Sequence, residues 1–207
     1  GLRFYGSSPR GVWWAESKNG VEWTPPRYAS VRGGDPAVAR TSAGEWLLVC
    51  VGGDRHPRQP PPPPPTSGPY THRICSASSP DGLTWTRDPG VRMEHASVPC
   101  AIADGERILL YYVDANRGRG LPESVGCAVS TDGLIFRQQP FALDGLPTEK
   151  ALDPCVVRDH DGRFRLYYLA ASRRFMEEPR HEIHWAASDD GLRFREQGVA
   201  FAHAALV

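Results

Sequence analysis

The chain has 207 residues with 24 basic and 24 acidic side chains, so its formal net charge is zero. That balance points away from nucleic acid or an anionic membrane as the main partner, and no apolar run approaches a membrane span. The 21 glycines and 20 prolines, with 10% aromatics, suit many short strands joined by tight turns within one sizeable core.

The chain begins in what reads as the interior of a domain, with no signal-peptide pattern. Gly1 to Gly6 has the pattern of a strand that recurs later as Gly162 to Tyr167. Gly11 to Ala15 is the next strand and Glu22-Trp23-Thr24 the one after. Between them lies Ser17-Lys18-Asn19-Gly20-Val21-Glu22-Trp23, the first copy of a box that the chain writes again and again. The other copies begin at Ser79, Ser130 and Ser188, with Asp81-Gly82, Asp132-Gly133 and Asp190-Gly191 in place of Asn19-Gly20. The serines are 62, 51 and 58 residues apart, the spacing of a modular array.

Asp-Gly or Asn-Gly between apolar runs is a strong hairpin signal, because the turn needs positive φ at its centre. The serine can bond backbone groups of the turn, and the aromatic three residues after Gly lands on the outgoing strand. A strand precedes each later box: Arg73 to Ala77, Gly126 to Val129 and Ile183 to Ala187.

Each later unit opens on a proline-marked strand, at Asp35-Pro36, Val98-Pro99 and Asp153-Pro154. A Gly turn follows, then an apolar strand: Trp46 to Val49, Ile108 to Val113 and Phe164 to Leu169. Each unit therefore reads as a four-stranded antiparallel meander. Radial repetition of such units is a β-propeller, so the expected fold is all-β, one domain over 1–207. The expected repeats span about 1–30, 31–90, 91–141 and 142–199, and the first lacks its innermost strand. Two readings of the ends remain open. The chain is part of a larger propeller, whose parent would have five blades, or the segment from Val199 folds back to close a four-bladed ring.

Six consecutive prolines, Pro60 to Pro65, lie in an insertion over 57–69 between the second and third strands of the second unit. They favour polyproline II and cannot join a ladder, so the segment reads as a stiff surface loop.

The five cysteines are Cys50, Cys75, Cys100, Cys127 and Cys155, on strand-like stretches and without a Cys-x-x-Cys spacing. They read as buried thiols rather than as a zinc or disulfide framework, and reduced thiols lean toward a cytoplasmic protein.

Strand direction sorts the acids. If the first strand of each unit starts at the top, the box turns lie at the bottom. Asp81, Asp132 and Asp190 are then turn residues. The proline-marked strands line the central funnel, which places Asp35 and Asp153 at its mouth as candidate catalytic carboxylates. Loops and blade connections on the same face add Asp54, Glu94, His95, Asp114 and Glu149 as candidate substrate-binding groups. No metal-ligand or cofactor motif is present, and none is expected on sequence.

The pattern Asp-Pro-x-Val, then Asp-Gly-x-x-x-x-Tyr-Tyr, then Ala-x-Ser-x-Asp-Gly-Leu-x-Phe resembles the five-bladed propeller glycosidases. These are the arabinanase and xylosidase relatives of glycoside hydrolase family 43 and the invertase–levansucrase relatives. The stretch from Asp153 to Tyr168 is the closest, and the pattern covers nearly the whole chain. The box is also similar to the sialidase Asp-box. The resemblance implies a glycosidase using a base Asp, a pKa-tuning Asp and a general acid Glu in a Glu-Gly-Pro motif. Asp35 and Asp153 match the two Asp-Pro sites in type. Ser97 stands where an acid would be expected between them, and Glu-Gly-Pro is absent from the sequence. The alternative expectation is therefore a propeller that binds carbohydrate without cleaving it. The resemblance also allows a funnel calcium, with no motif for it in this sequence.

Overall fold

A computed structural model describes residues 1–52, 72–115, 122–172 and 182–202. Asp54 and the proline run lie outside these residues. Every regular element among the described residues is a β-strand, in four consecutive sheets.

The first sheet holds β1 (Leu2–Ser8), β2 (Gly11–Ser17) and β3 (Arg27–Tyr28). The second runs β4 (Gly34–Arg40), β5 (Trp46–Val51), β6 (Arg73–Ser79) and β7 (Thr86–Arg87), with β8 (Met93–Glu94) also pairing β6. The third runs β9 (Ala96–Asp104), β10 (Arg107–Asp114), β11 (Ser124–Ser130) and β12 (Arg137–Gln139). In the fourth, β14 (Lys150–Arg158), β15 (Phe164–Ala171), β16 (Glu182–Ser188) and β17 (Arg193–Ala202) form the meander. The short β13 (Ala142–Asp144) adds a parallel strand outside β17.

These are the expected blades, and the first has three strands rather than four. Its outer strand differs from the sequence reading. Glu22 to Thr24 make only a bridge at Trp23, and the paired strand is Arg27–Tyr28, beyond Pro25 and Pro26, which have no N–H to give a ladder. Val199 to Ala202 extend β17 beside β16, so they do not return to the first blade.

Apolar clusters hold the blades together at each boundary. Blades one and two share Val12, Trp14, Leu48 and Cys50. Blades two and three share Leu47, Val49, Leu110 and Tyr112, and blades three and four share Leu109, Tyr111, Leu166 and Tyr168. Alternate residues of each second strand thus face opposite neighbours, as the period of two requires. In the first blade the side facing away from blade two carries Leu2 and Phe4, 54% and 61% exposed.

The box is a side-chain-built turn, not the type expected. Only its Gly has positive φ, at 73°, 73° and 74° for Gly82, Gly133 and Gly191. The Asp stays in the ordinary region and uses its carboxylate instead. Asp190 Oδ1 accepts from Leu192 N (2.8 Å), Arg193 N (2.9 Å) and Ser188 Oγ (2.9 Å), while Ser188 Oγ accepts from Gly191 N at 2.9 Å. Asp81 and Asp132 repeat this pattern.

The box also binds blades together. Tyr111 of blade three donates to Gly191 O at 2.7 Å and meets Phe194 edge-on, with ring centres 6.0 Å apart. Tyr5, at the same place in the first blade, donates to Gly82 O at 2.7 Å and meets Trp85 edge-on at 5.9 Å. A Cβ on Gly191 would lie 2.9 Å from both Leu109 Cδ1 and the Tyr111 hydroxyl.

Candidate functional site

The innermost strands are β4, β9 and β14, and β9 packs between the other two. Each carries the same defect opposite its second strand. The register slips between Gly34 and Ala37, between Ser97 and Cys100, and between Leu152 and Cys155. Two residues there oppose one, which is a β-bulge. The first residue of each bulge precedes the proline and is left-handed: φ is 48° at Asp35, 45° at Val98 and 52° at Asp153.

Left-handed φ is uncommon outside glycine, tolerable for Asp and unfavourable for a β-branched residue. Strain of that kind, about 1–3 kcal/mol per residue, persists only where the surrounding packing enforces it. Three repetitions at equivalent positions make it a property of the funnel rather than an accident of one strand. A bulge also re-aims the side chain it carries.

The bulges correct the sequence alignment of the middle strand. The residue equivalent to Asp35 and Asp153 is Val98, not Ser97, because Val98 precedes Pro99 and takes the left-handed bulge conformation. Ser97 is buried and pairs with Val113 in the regular ladder. The signal was present in the sequence: all three positions are followed by proline.

Asp35 and Asp153 are both solvent-accessible, and the two are near enough to interact electrically. Enough protein surrounds Asp153 that desolvation raises its carboxyl above the ordinary range, and the Asp35 charge adds to the rise. The box acids are held the other way. The amides of Thr84 and Leu83 pull Asp81 down to about 2, and the equivalent amides lower Asp132 and Asp190.

His95 and Asp114 meet at the top of blade three. Asp114 pairs with Ala96, and Ala115 N–H donates to His95 O at 3.0 Å. His95 is exposed with φ 54°. Glu94 is exposed on β8 opposite Arg73, and Glu149 is exposed one residue before β14. Asp54 lies outside the described residues; of the others, Asp35 and Asp153 sense each other's charge, and His95 and Asp114 adjoin where β9 begins and β10 ends.

Among the described residues no three His, Cys, Asp or Glu side chains converge as a metal site.

Sequence reasoning missed two cysteines. Cys50, Cys75 and Cys127 are buried as expected, but Cys100 is half-buried and Cys155 is exposed. Both sit two residues beyond the left-handed bulge residue of their strand.

Radial antiparallel blades about bulged inner strands define a β-propeller fold. The chain is similar to Zg3597, a family 117 glycoside hydrolase of the marine bacterium Zobellia galactanivorans, with TM-score 0.60 and 19% identity over 95% of this chain and 60% of that one. It is similar to the endo-arabinase of Bacteroides thetaiotaomicron, with TM-score 0.59 and 15% identity over 85% of this chain and 58% of the other. The sucrose-6-phosphate hydrolase of Lactobacillus gasseri gives TM-score 0.59 and 19% identity, covering 80% of this chain and 33% of that one. In sequence, an uncharacterised protein of Mycobacterium tuberculosis, MT1551, is 29% identical over 146 residues, which is 63% of this chain. The chain spans less than half the length of that relative, 46%. No protein-family model matches the chain.

Proposed function

We propose that the protein acts on glycosidic bonds, with Asp35 and Asp153 as the carboxyl pair of its funnel. The observation that carries this reading is the pairing itself. Two carboxylates stand on equivalent bulges either side of β9, and one has its proton affinity raised by desolvation and by the other's charge. Glycoside hydrolysis uses two carboxyl groups whose environments separate their roles. Asp153, which holds its proton to higher pH, is the partner or pKa-tuning acid, and Asp35 is the base or nucleophile-side carboxylate. His95 and Asp114, at the same end of blade three, are placed to contact substrate hydroxyls. The fold shared with propeller glycoside hydrolases supports the substrate class, a carbohydrate.

A second reading rests on Val98. The inner strand between the two acids carries an apolar side chain at the equivalent position, and the sequence has no Glu-Gly-Pro. A propeller with two such acids and no third can hold a sugar without cleaving it.

One experiment separates the readings. The full-length protein is tested on aryl arabinosides, xylosides and fructosides and on the matching oligosaccharides, beside Asp35→Asn and Asp153→Asn. Hydrolysis by the parent that both variants lose supports the first reading. Saturable glycan binding without products, weakened by Asp153→Asn, supports the second. Hydrolysis that both variants retain removes the assigned roles, and absence of both binding and products removes the carbohydrate reading.

A further inference from the structure

Cys100 on β9 and Cys155 on β14 belong to neighbouring blades, yet the Cys100 sulfur lies against the backbone of the residue that follows Cys155, 3.7 Å from Val156 O. The Cys100 sulfur also accepts from Val156 N at 3.2 Å, the amide next to Cys155. The two positions are repeat-equivalent, each two residues past its bulge. The third equivalent, on β4, is Ala37.

The pair is asymmetric. Cys155 is exposed, while Cys100 is half-buried beneath it. The Cys100 thiol donates to Val156 O at 3.7 Å, and its interaction with Cys155 lowers the Cys155 thiol from its usual range, whereas its partner first and burial second raise Cys100. The titratable groups around them are each other, Tyr167 across the ladder from Cys155, Tyr111 across the ladder from Cys100, and Asp153 two residues back on β14. The remaining cysteines differ. Burial pushes Cys50 and Cys127 up to about 12, and Cys75 is buried. An exposed thiol close to a second, less exposed one is the arrangement of a reactive cysteine with its resolving partner.

We propose that Cys155 and Cys100 form a redox-active dithiol that a peroxide converts to a disulfide between blades three and four. The Cys155 thiolate attacks one peroxide oxygen, forming an S–O bond as the O–O bond breaks. The departing hydroxide or alkoxide takes up a proton, leaving Cys155 as a sulfenic acid. Cys100 then attacks that sulfur. The S–S bond forms, the S–O bond breaks, and hydroxide leaves with the Cys100 proton as water. The two thiols lose two electrons and two protons, and the peroxide is reduced to water or to water and an alcohol. Because Cys155 follows Asp153 by two residues on β14, the bridge would anchor the funnel strand that carries Asp153.

The test uses the reduced, folded full-length protein with one equivalent of hydrogen peroxide, followed by alkylation, denaturation and peptide mass spectrometry. The expected product is a Cys100–Cys155 linked peptide, with Cys50, Cys75 and Cys127 still alkylatable and the link reversed by dithiothreitol. In Cys100→Ser the expected product is a Cys155 sulfenic acid captured by dimedone. Before oxidation, iodoacetamide should label Cys155 of the native protein roughly tenfold or more faster than the buried thiols. All five thiols remaining free after peroxide, a link between another pair, or Cys155 labelling no faster than Cys127 would overturn the proposal. The labelling comparison uses unaltered protein, so a variant that fails to fold leaves it intact.

Discussion

Two sets of aspartates sit at opposite ends of the same blades, and sequence frequency ranks them the wrong way round for chemistry. The box acids recur three times, yet Asp81, Asp132 and Asp190 each accept two backbone N–H groups and a serine hydroxyl, and are lowered in consequence. Asp35 and Asp153 occur on two of three equivalent bulges, and Asp153 is raised by lost hydration and a like charge. The first environment spends the carboxylate's acceptor capacity on the turn. The second leaves it facing solvent beside another acid, where a proton can be exchanged with a ligand. What separates the turn acids from the proposed funnel acids is which groups surround the oxygens, not how often the residue is repeated.

The largest expected difference is in turnover. With a cleaved glycoside in hand, Asp153→Asn in the full-length protein should lower kcat by about 10²–10⁴-fold, the usual worth of a positioned acid–base group. Asp190→Asn should leave it within about threefold, because its place is a turn at the far end of the blade. Equal losses would erase the distinction between the two sets. The next effect is on stability at the box end. Gly191→Ala puts a Cβ 2.9 Å from Leu109 and Tyr111 at φ 74°, so it should cost about 2–4 kcal/mol by urea unfolding. Gly162→Ala, at φ 82° with nothing within 4 Å of the new Cβ, should lose only the backbone preference, about 1 kcal/mol. Similar costs at both would mean that the box glycine is not an inter-blade contact.

The blade pattern was legible because hairpins are local. Ser-x-Asp-Gly with an aromatic three residues on encodes its own turn, and the unbroken apolar run from Ile108 to Val113 encodes a strand buried on both faces. The outer strand of the first blade was less legible, since Pro25 and Pro26 displaced pairing to Arg27 and Tyr28. The funnel was half legible. Asp-Pro marked Asp35 and Asp153, but the match of Val98 with them needed the bulge, which is set by pairing across two strands. The approach of Cys100 to the backbone beside Cys155 was not legible at all. It depends on how two blades lean together, and nothing local to either strand reports that.

The smallest effects carry the sharpest sign test. Asp190→Ala removes three hydrogen bonds to one solvent-exposed carboxylate and should cost about 1–2 kcal/mol at neutral pH. That stabilisation belongs to a depressed carboxylate, so it is present above the unfolded value of about 3.9 and is lost as pH falls through the folded one. Asp153 has the opposite sign. Its folded value lies above the unfolded one, so folding favours its protonated form. That contribution is full below the unfolded value and disappears as pH rises through the folded value. Asp153→Asn should therefore leave stability at pH 7 unchanged or slightly higher, within about 0.5 kcal/mol. Carboxyl-carbon NMR titration reads both sets in one sample. Asp81 should titrate near 2 and Asp153 above the ordinary aspartate range. In Asp35→Asn the Asp153 midpoint should fall only part of the way back, because desolvation is the larger cause and the Asp35 charge the smaller. A midpoint that does not move would mean that the two acids do not sense each other, and the funnel would then hold two separate carboxylates rather than a pair.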